Sequence, residues 1–208
     1  MKKYEKTGYL HHDFKIFHLT DHEMSAYDFH YHDFHKLLFF LSGNVTYCIE
    51  GKSYQLTPGD LVLVHAGEVH RPVIHDTTPY ERMIIYVSPD FAVTSSDKTI
   101  FLNQCFLPDA AMPSNVLHLS GMKERRLLDT MTELVHSFSG NGFANELYQN
   151  TLFLEFMIHL NRAALSGTLQ YEDSFQANEK ILSVLTYMNE HLTEDITVDS
   201  LAEHFFTS

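Results

Sequence analysis

A chain of 208 residues, 44% of them hydrophobic, can bury one good core and part of a second, so two domains fit. With 14 basic against 27 acidic residues its formal net charge is -13, the wrong sign for nonspecific contact with nucleic-acid phosphates. No run of about 18 apolar residues occurs, and the opening MKKYEKTGYLHHDF lacks an apolar stretch; the expectation is a cytoplasmic protein with no membrane partner.

From residue 14 to about residue 87, short strand-like runs alternate with turn signals, over 14–20, 37–41, 45–50, 52–56, 61–65 and 83–87. Ser42-Gly43-Asn44 and Thr57-Pro58-Gly59-Asp60 supply turns. Val45, Tyr47 and Ile49 alternate with Thr46, Cys48 and Glu50, as on a sheet with unlike faces. Residues 61–64 are apolar at every position, which marks an interior strand of a sandwich or barrel. Cys48 lies in the alternating segment and Cys105 beside Phe106, so two reduced, buried thiols are expected in place of a disulfide. Residues 89–115 hold Pro89, Pro108 and Pro113 and read as a loop with one helical turn.

Two long helical patterns follow. Residues 123–138 place Leu127, Leu128, Met131, Leu134, Val135 and Phe138 on one side; after Ser139-Gly140-Asn141-Gly142, residues 143–165 carry Leu147, Leu154, Met157, Ile158 and Leu160. An antiparallel pair is the simple reading. Phe153, Phe156 and Met157 make the second helix apolar on more than one side, either as a seam with its neighbour or as an interface. The polar stretch SGTLQYEDSFQA, residues 166–177, reads as a linker. Beyond it, Ile181, Leu185, Met188 and Leu192 recur at helical spacing; Thr197 then stands where an N-cap would, with Asp199 in the first turn and Leu201, Ala202 and Phe205 behind it. Residues 177–208 carry six acids against Lys180 alone, so this segment by itself is expected to bind DNA weakly or not at all.

The chemically suggestive constellation is His30-Tyr31-His32 together with His70 at the end of PGDLVLVHAGEVH. Residues two apart on a strand face the same way, so His30 and His32 can enter one cavity, where a second strand pair can bring His70 to meet them. Three converging imidazoles are a metal-ligand set. With 15 histidines in the chain a spacing of two also arises by composition, and His11, His12, His22 and His75 are expected at the surface.

The H-x-H pair, Gly43, Pro58-Gly59-Asp60 and His70 together resemble the two motifs of the cupin barrel, over roughly residues 14–90. The resemblance implies metal ligands at His30, His32 and His70. Cupin enzymes usually add a carboxylate four residues beyond the second histidine of H-x-H; that position is Lys36, whose charge would repel a divalent metal. His35 is turned to the opposite face by the period of two. A cofactor-free pocket for a polar organic ligand is therefore expected, lined by His30, His32, Lys36, Tyr47 and His70. Tyr47 and Phe40 either stack on that ligand or fill the core.

The string I-x-x-V-L-x-Y-M-x-x-H-L-x-x-x-I-T-V-x-x-L-A-x-x-F-x-x-S resembles the start of the helix-turn-helix of AraC-family regulators, with Ala202 as the small residue between the two helices. A recognition helix would begin near Ser208. Two amphipathic helices closing a helical subdomain is the plain alternative. The resemblance implies an α+β architecture: a cupin-like sensor over 1–115, dimerisation helices over 116–170 and a truncated helix-turn-helix module over 177–208. It implies a homodimer paired through residues 143–165, and a regulator that senses a small polar metabolite such as a sugar and reaches DNA through the full-length protein. The competing class is a metal-dependent cupin isomerase or dioxygenase using His30, His32 and His70; a stand-alone cupin that modulates a full-length partner is a third reading.

Overall fold

The structure, a computed structural model, describes residues 4–22, 27–95, 98–106, 114–119 and 125–167, with positions 169, 171, 187, 197 and 200–202. Two five-stranded sheets face each other. In the first the order is β1 (Glu5–Lys6), β3 (His30–Tyr31), β8 (His70–Ile74), β5 (Val45–Ile49), β6 (Lys52–Gln55); in the second it is β12 (Val116–His118), β7 (Asp60–Val64), β4 (His35–Ser42), β9 (Tyr80–Val87), β2 (Phe14–Asp21). All pairings in them are antiparallel except β1 with β3. This is a cupin-type double-stranded β barrel, as expected, with helices packed on one side.

Strand parity sorts the second sheet into two cores. Leu38, Phe40, Val62, Val64 and Ile84 point into the barrel and pack against Val45, Tyr47 and Ile49 of the first sheet. Their neighbours Leu37, Phe39, Leu61, Leu63, Met83 and Ile85 point outward into a second core. That outer core is completed by α1 (Arg125–Ser137) and α2 (Asn145–Leu165) through Leu127, Met131, Leu134, Phe153, Phe156 and Met157. A sheet covered on both faces has no position for a polar residue that lacks a partner, which is why β7 is buried at all of its positions. The helices form the expected pair. Asn145 and Gln149 both donate to the carbonyl of Ser137, and the Tyr148 hydroxyl donates to Glu133 at 3.0 Å, so the chain doubles back.

The turns form where glycine and aspartate were read. Gly43 has φ of 125°, and a Cβ there would lie 3.2 Å from the Tyr80 Cα. Asp60 closes its turn by accepting from the Thr57 amide at 2.7 Å and hydroxyl at 3.1 Å, and its other oxygen meets His118 Nδ1 at 2.6 Å.

Several expectations are corrected. Residues 89–115 are no simple loop: β10 (Ala92–Ser95) and β11 (Lys98–Phe101) form a hairpin, followed by a single 3-10 turn at Gln104–Phe106. Residues 116–118, grouped with the helices, are strand β12 of the barrel. Tyr171, read as linker, bridges back to Leu117 on that strand. Both cysteines are free, but Cys48 is only half-buried, because the Thr46, Cys48 face of β5 looks away from the core. In the terminal segment Thr197 does cap a helix start: its hydroxyl accepts from the Ser200 amide at 3.1 Å, and the Leu201 amide donates to its carbonyl. Ala202 continues that turn; Phe205, Asp199 and the helix read over 181–192, Tyr187 apart, lie outside the described residues.

Candidate functional site

β3 and β8 pair at a single position, His30 opposite His70. Directly opposed residues on an antiparallel pair share a face, and His32 returns to that face two residues on. The three rings converge, with centroids 4.5 Å apart for His30 and His70, 4.9 Å for His32 and His70 and 5.1 Å for His30 and His32. One nitrogen from each lies within 4.8 Å of the others. His70 is fully buried, His32 nearly so, and His30 half-buried.

Each imidazole is oriented through its Nδ1. That atom lies 2.8 Å from the Asp28 carbonyl in His30, 2.5 Å from the Thr7 carbonyl in His32 and 2.9 Å from the Glu68 carbonyl in His70. A carbonyl only accepts, so the proton sits on Nδ1 and each Nε2 carries a lone pair. His32 Nε2 and His70 Nε2 are buried without a protein partner among the described residues. Burial is the main reason these rings stay neutral, with the Lys36 charge adding to it: His32 is lowered to about 4 and His70 to about 2. His30 is lowered too, chiefly by burial.

The triad opens onto a cavity of about 320 Å³ inside the barrel, whose lining includes His30, His32, Lys36, Tyr47, Arg82 and Tyr86. Lys36 enters it from β4 and is buried; loss of hydration, helped by the charge of Arg82, brings its ammonium down to about 7. Its Nζ lies 5.6 Å from the centre of the Tyr47 ring. The Tyr47 hydroxyl is buried with no protein partner among the described residues, as is Arg82 Nε. Arg82 is otherwise held, donating from Nη1 to the Tyr80 carbonyl at 2.9 Å and pairing through Nη2 with Asp21 at 2.7 Å.

Every sequence-derived candidate, His30, His32, Lys36, Tyr47 and His70, thus meets at this one place. His35 does not, since its register against β9 is unbroken and the only irregularity in β4 comes later, between Phe40 and Ser42. It faces the outer core and stacks on Phe106 at 4.2 Å. Phe40 packs with Tyr80 at 6.1 Å inside the barrel and fills space there. Sequence reading missed Arg82, Tyr27, Tyr80 and Tyr86. An available signal was parity: in YERMIIYV, residues 82, 84 and 86 share one face, so an arginine in phase with Ile84 had to enter the barrel.

A metal centre is tested by these same atoms. Three neutral imidazoles with fixed tautomers and converging lone pairs fit a borderline divalent transition metal, and the backbone carbonyls behind them are the outer shell such ligands take. A larger cleft of about 750 Å³ lies outside the barrel against α2, lined by His11, His12 and Glu146, but none of the unpartnered buried atoms faces it.

The family model described as "AraC-like ligand binding domain" matches residues 13–157, which contain every barrel strand but β1, the cavity lining apart from Thr7 and Gly8, all of α1 and more than half of α2. The chain belongs to the AraC-like ligand-binding family. Two curated relatives are similar to most of it: the "HTH-type transcriptional activator RhaS" of Escherichia coli, 24% identical over 86% of this chain and 61% of that protein, and its namesake from Enterobacter sp., 23% identical over 88% and 63%. This AraC-like chain therefore spans about three fifths of the length of the relatives it matches. Among solved structures, an RmlC-like cupin from Methanocaldococcus jannaschii aligns with a TM-score of 0.33 at 16% identity, over 36% of this chain and 70% of that one, a partial likeness that carries no weight beside the topology itself.

Proposed function

We propose that this AraC-like domain is the sensor of a cytoplasmic, ligand-responsive transcription regulator that has no catalytic step of its own. The observation that carries the proposal is the cluster of buried polar atoms that find no partner among the described residues and surround one cavity, His32 Nε2, Tyr47 Oη and Arg82 Nε with His70 Nε2 beside them. An unsatisfied buried polar atom costs about 1–3 kcal/mol. A small polar effector, a sugar or an organic acid, removes several such costs at once. No helix among the described residues is long and apolar enough to cross a membrane, in keeping with a regulator that meets DNA in the cytoplasm.

Signal output starts at the lid of this cavity. Residues 5–8 lie across it: β1 pairs with β3, the Thr7 amide donates to the Tyr31 carbonyl at 3.0 Å, Thr7 and Gly8 line the cavity, and Lys6 pairs with Asp33 at 2.6 Å. An effector that contacts this segment shifts its equilibrium by the difference in affinity for its two arrangements. The helix-turn-helix segment headed by Thr197 delivers that shift to DNA within the full-length protein. A homodimer is built through α2. Leu147, Leu154, Ile158 and Leu165 fall on one stripe, and Leu147, Ile158 and Leu165 remain exposed although the opposite side of the helix is packed. A second copy covers that stripe, as reading two half-sites requires.

If metal is resident, His30, His32 and His70 hold it, and its role in a sensor is to polarise and orient a bound oxygen ligand. The enzyme reading shares these three residues. Thermal shift measured on the purified chain against neutral aldoses and small organic acids tests the sensor reading, and Lys36→Met is expected to weaken an anionic effector at least about tenfold more than a neutral one. Equal losses for both, or no stabilisation by any compound, count against it.

A further inference from the structure

We infer that effector and metal share one composite site: His30, His32 and His70 bind a divalent transition metal through Nε2, and the effector is a small 2-hydroxy- or 2-oxocarboxylate that completes its coordination while its carboxylate rests against Lys36. The inference builds on the effector-pocket reading above.

Charge leads to it. Three neutral imidazoles bring no negative charge to a divalent ion, and Lys36 lines the same cavity as His30 and His32. No carboxylate of the protein joins the triad among the described residues. Asp21 is engaged with Arg82 and the Tyr27 hydroxyl, Asp33 with Lys6, and Glu68 with Asn115 and the His65 amide, while Glu5 and Asp28 line a different cleft that His30 also borders. A bound metal and a protonated Lys36 repel each other, and an anion seated between them relieves that repulsion and keeps the ammonium charged. Lys36 then becomes the specificity element of the site, since it favours the carboxylate that a fixed glutamate or aspartate would exclude.

Geometry narrows the class of anion. Three ligands approaching from one side leave adjacent coordination positions open, which suits two oxygens of one molecule. A carboxylate with a hydroxyl or oxo group on the next carbon presents two such oxygens in a five-membered chelate. The Tyr47 hydroxyl and Arg82 Nε, both without a partner among the described residues, face the same cavity and are donors for the remaining carboxylate lone pairs. A neutral polyol satisfies the histidines but leaves Lys36 and the metal unshielded from each other.

The test uses the full chain without a histidine tag, stripped by a chelator and titrated with Co2+ and with oxalate or lactate, alone and together, with xylitol and phosphate as comparison probes. Expected are one Co2+ per chain with a ligand-field spectrum, and a carboxylate affinity raised about tenfold or more by metal, matched by the same gain in metal affinity when carboxylate is present. His70→Ala abolishes the spectrum. Because His70 is fully buried, the half-buried His30→Gln serves beside it, with circular dichroism as the check on folding; it too weakens Co2+ binding. Lys36→Met keeps the metal and loses the coupling to carboxylate. The inference is overturned if the folded wild-type chain takes up no stoichiometric Co2+, if His30→Gln binds it unchanged, or if phosphate gains from metal as much as lactate does. Tight binding of xylitol to the metal-free chain, with oxalate indifferent to metal, overturns the composite site and leaves the effector pocket standing. If none of the probes binds in either state, both readings fall.

Discussion

At the scale of single residues the cavity trades stability for binding. The Tyr47 hydroxyl is wholly buried, burial holds its pKa well above the ordinary phenol value, and no protein group bonds to it among the described residues. Tyr47→Phe therefore removes an unsatisfied donor, and the ligand-free protein is expected to be unchanged or more stable by up to about 1 kcal/mol in urea denaturation, while effector affinity drops. A loss of stability above that size would show that the hydroxyl has a structural partner. Gly43 is the opposite case. Its φ of 125° and the 3.2 Å approach to the Tyr80 backbone give Gly43→Ala nowhere to go, and a cost of about 2 kcal/mol is expected from chemical denaturation. His35 and Lys36 show what one position means on a doubly covered sheet: adjacent in sequence, they end in different cores.

At the scale of elements, the Asp60 carboxylate ties β7 to β12 through His118. Its carboxylate satisfies Thr57 and His118 from a site that is 1% exposed. Asp60→Ala removes all of these bonds and leaves the Thr57 amide unpaired, so a loss of about 3 kcal/mol is expected, with β12 the first strand to lose amide protection in hydrogen exchange. Uniform loss of protection across both sheets would argue against a local role. On α2 the outer stripe is separable from the fold. A Leu147→Glu, Ile158→Glu double variant touches exposed positions and is expected to leave the melting temperature of the monomeric fold within about 3 °C while abolishing dimers in sedimentation equilibrium.

For the molecule as a whole, the histidines set acid stability. In metal-free protein His32 and His35 are lowered by burial to about 4 and His70 to about 2, from 6.5 in an unstructured chain. Above pH 6.5 these groups are neutral in both states and contribute nothing. Below it the unfolded chain takes up protons that the folded chain refuses. Stability therefore falls with pH, with a slope approaching about 1.4 kcal/mol per pH unit for each group, until the folded rings titrate near 4 and 2. Denaturation free energies measured between pH 7 and pH 5 check this, and His35→Leu is expected to lower the slope by about one proton; a flat profile over that range would contradict it.

The alternation of apolar and polar residues in the sequence determined the strands of the barrel, because a sheet with one buried face writes its period of two into the chain. It likewise determined both helices through a period near 3.6, and the turns at Gly43 and Asp60 through their backbone chemistry. Even the candidate site was legible, since His30, His32 and Lys36 share one parity and His70 lies at the end of a recognisable turn and strand. The sequence left other elements obscure: β8 was hidden by Pro72, a poor strand former that is tolerated because β3 pairs with β8 only at His70. The hairpin of β10 and β11 lies in a stretch whose prolines and polar residues mask a weak strand pattern. Arg82 gave a parity signal but no partner, for Asp21 is sixty-one residues away and only the pairing of β2 with β9 brings it close. Only the tertiary structure decided that three imidazoles turn their lone pairs inward, because each tautomer is set by a backbone carbonyl from a different segment, and such a contact leaves no trace in the order of residues.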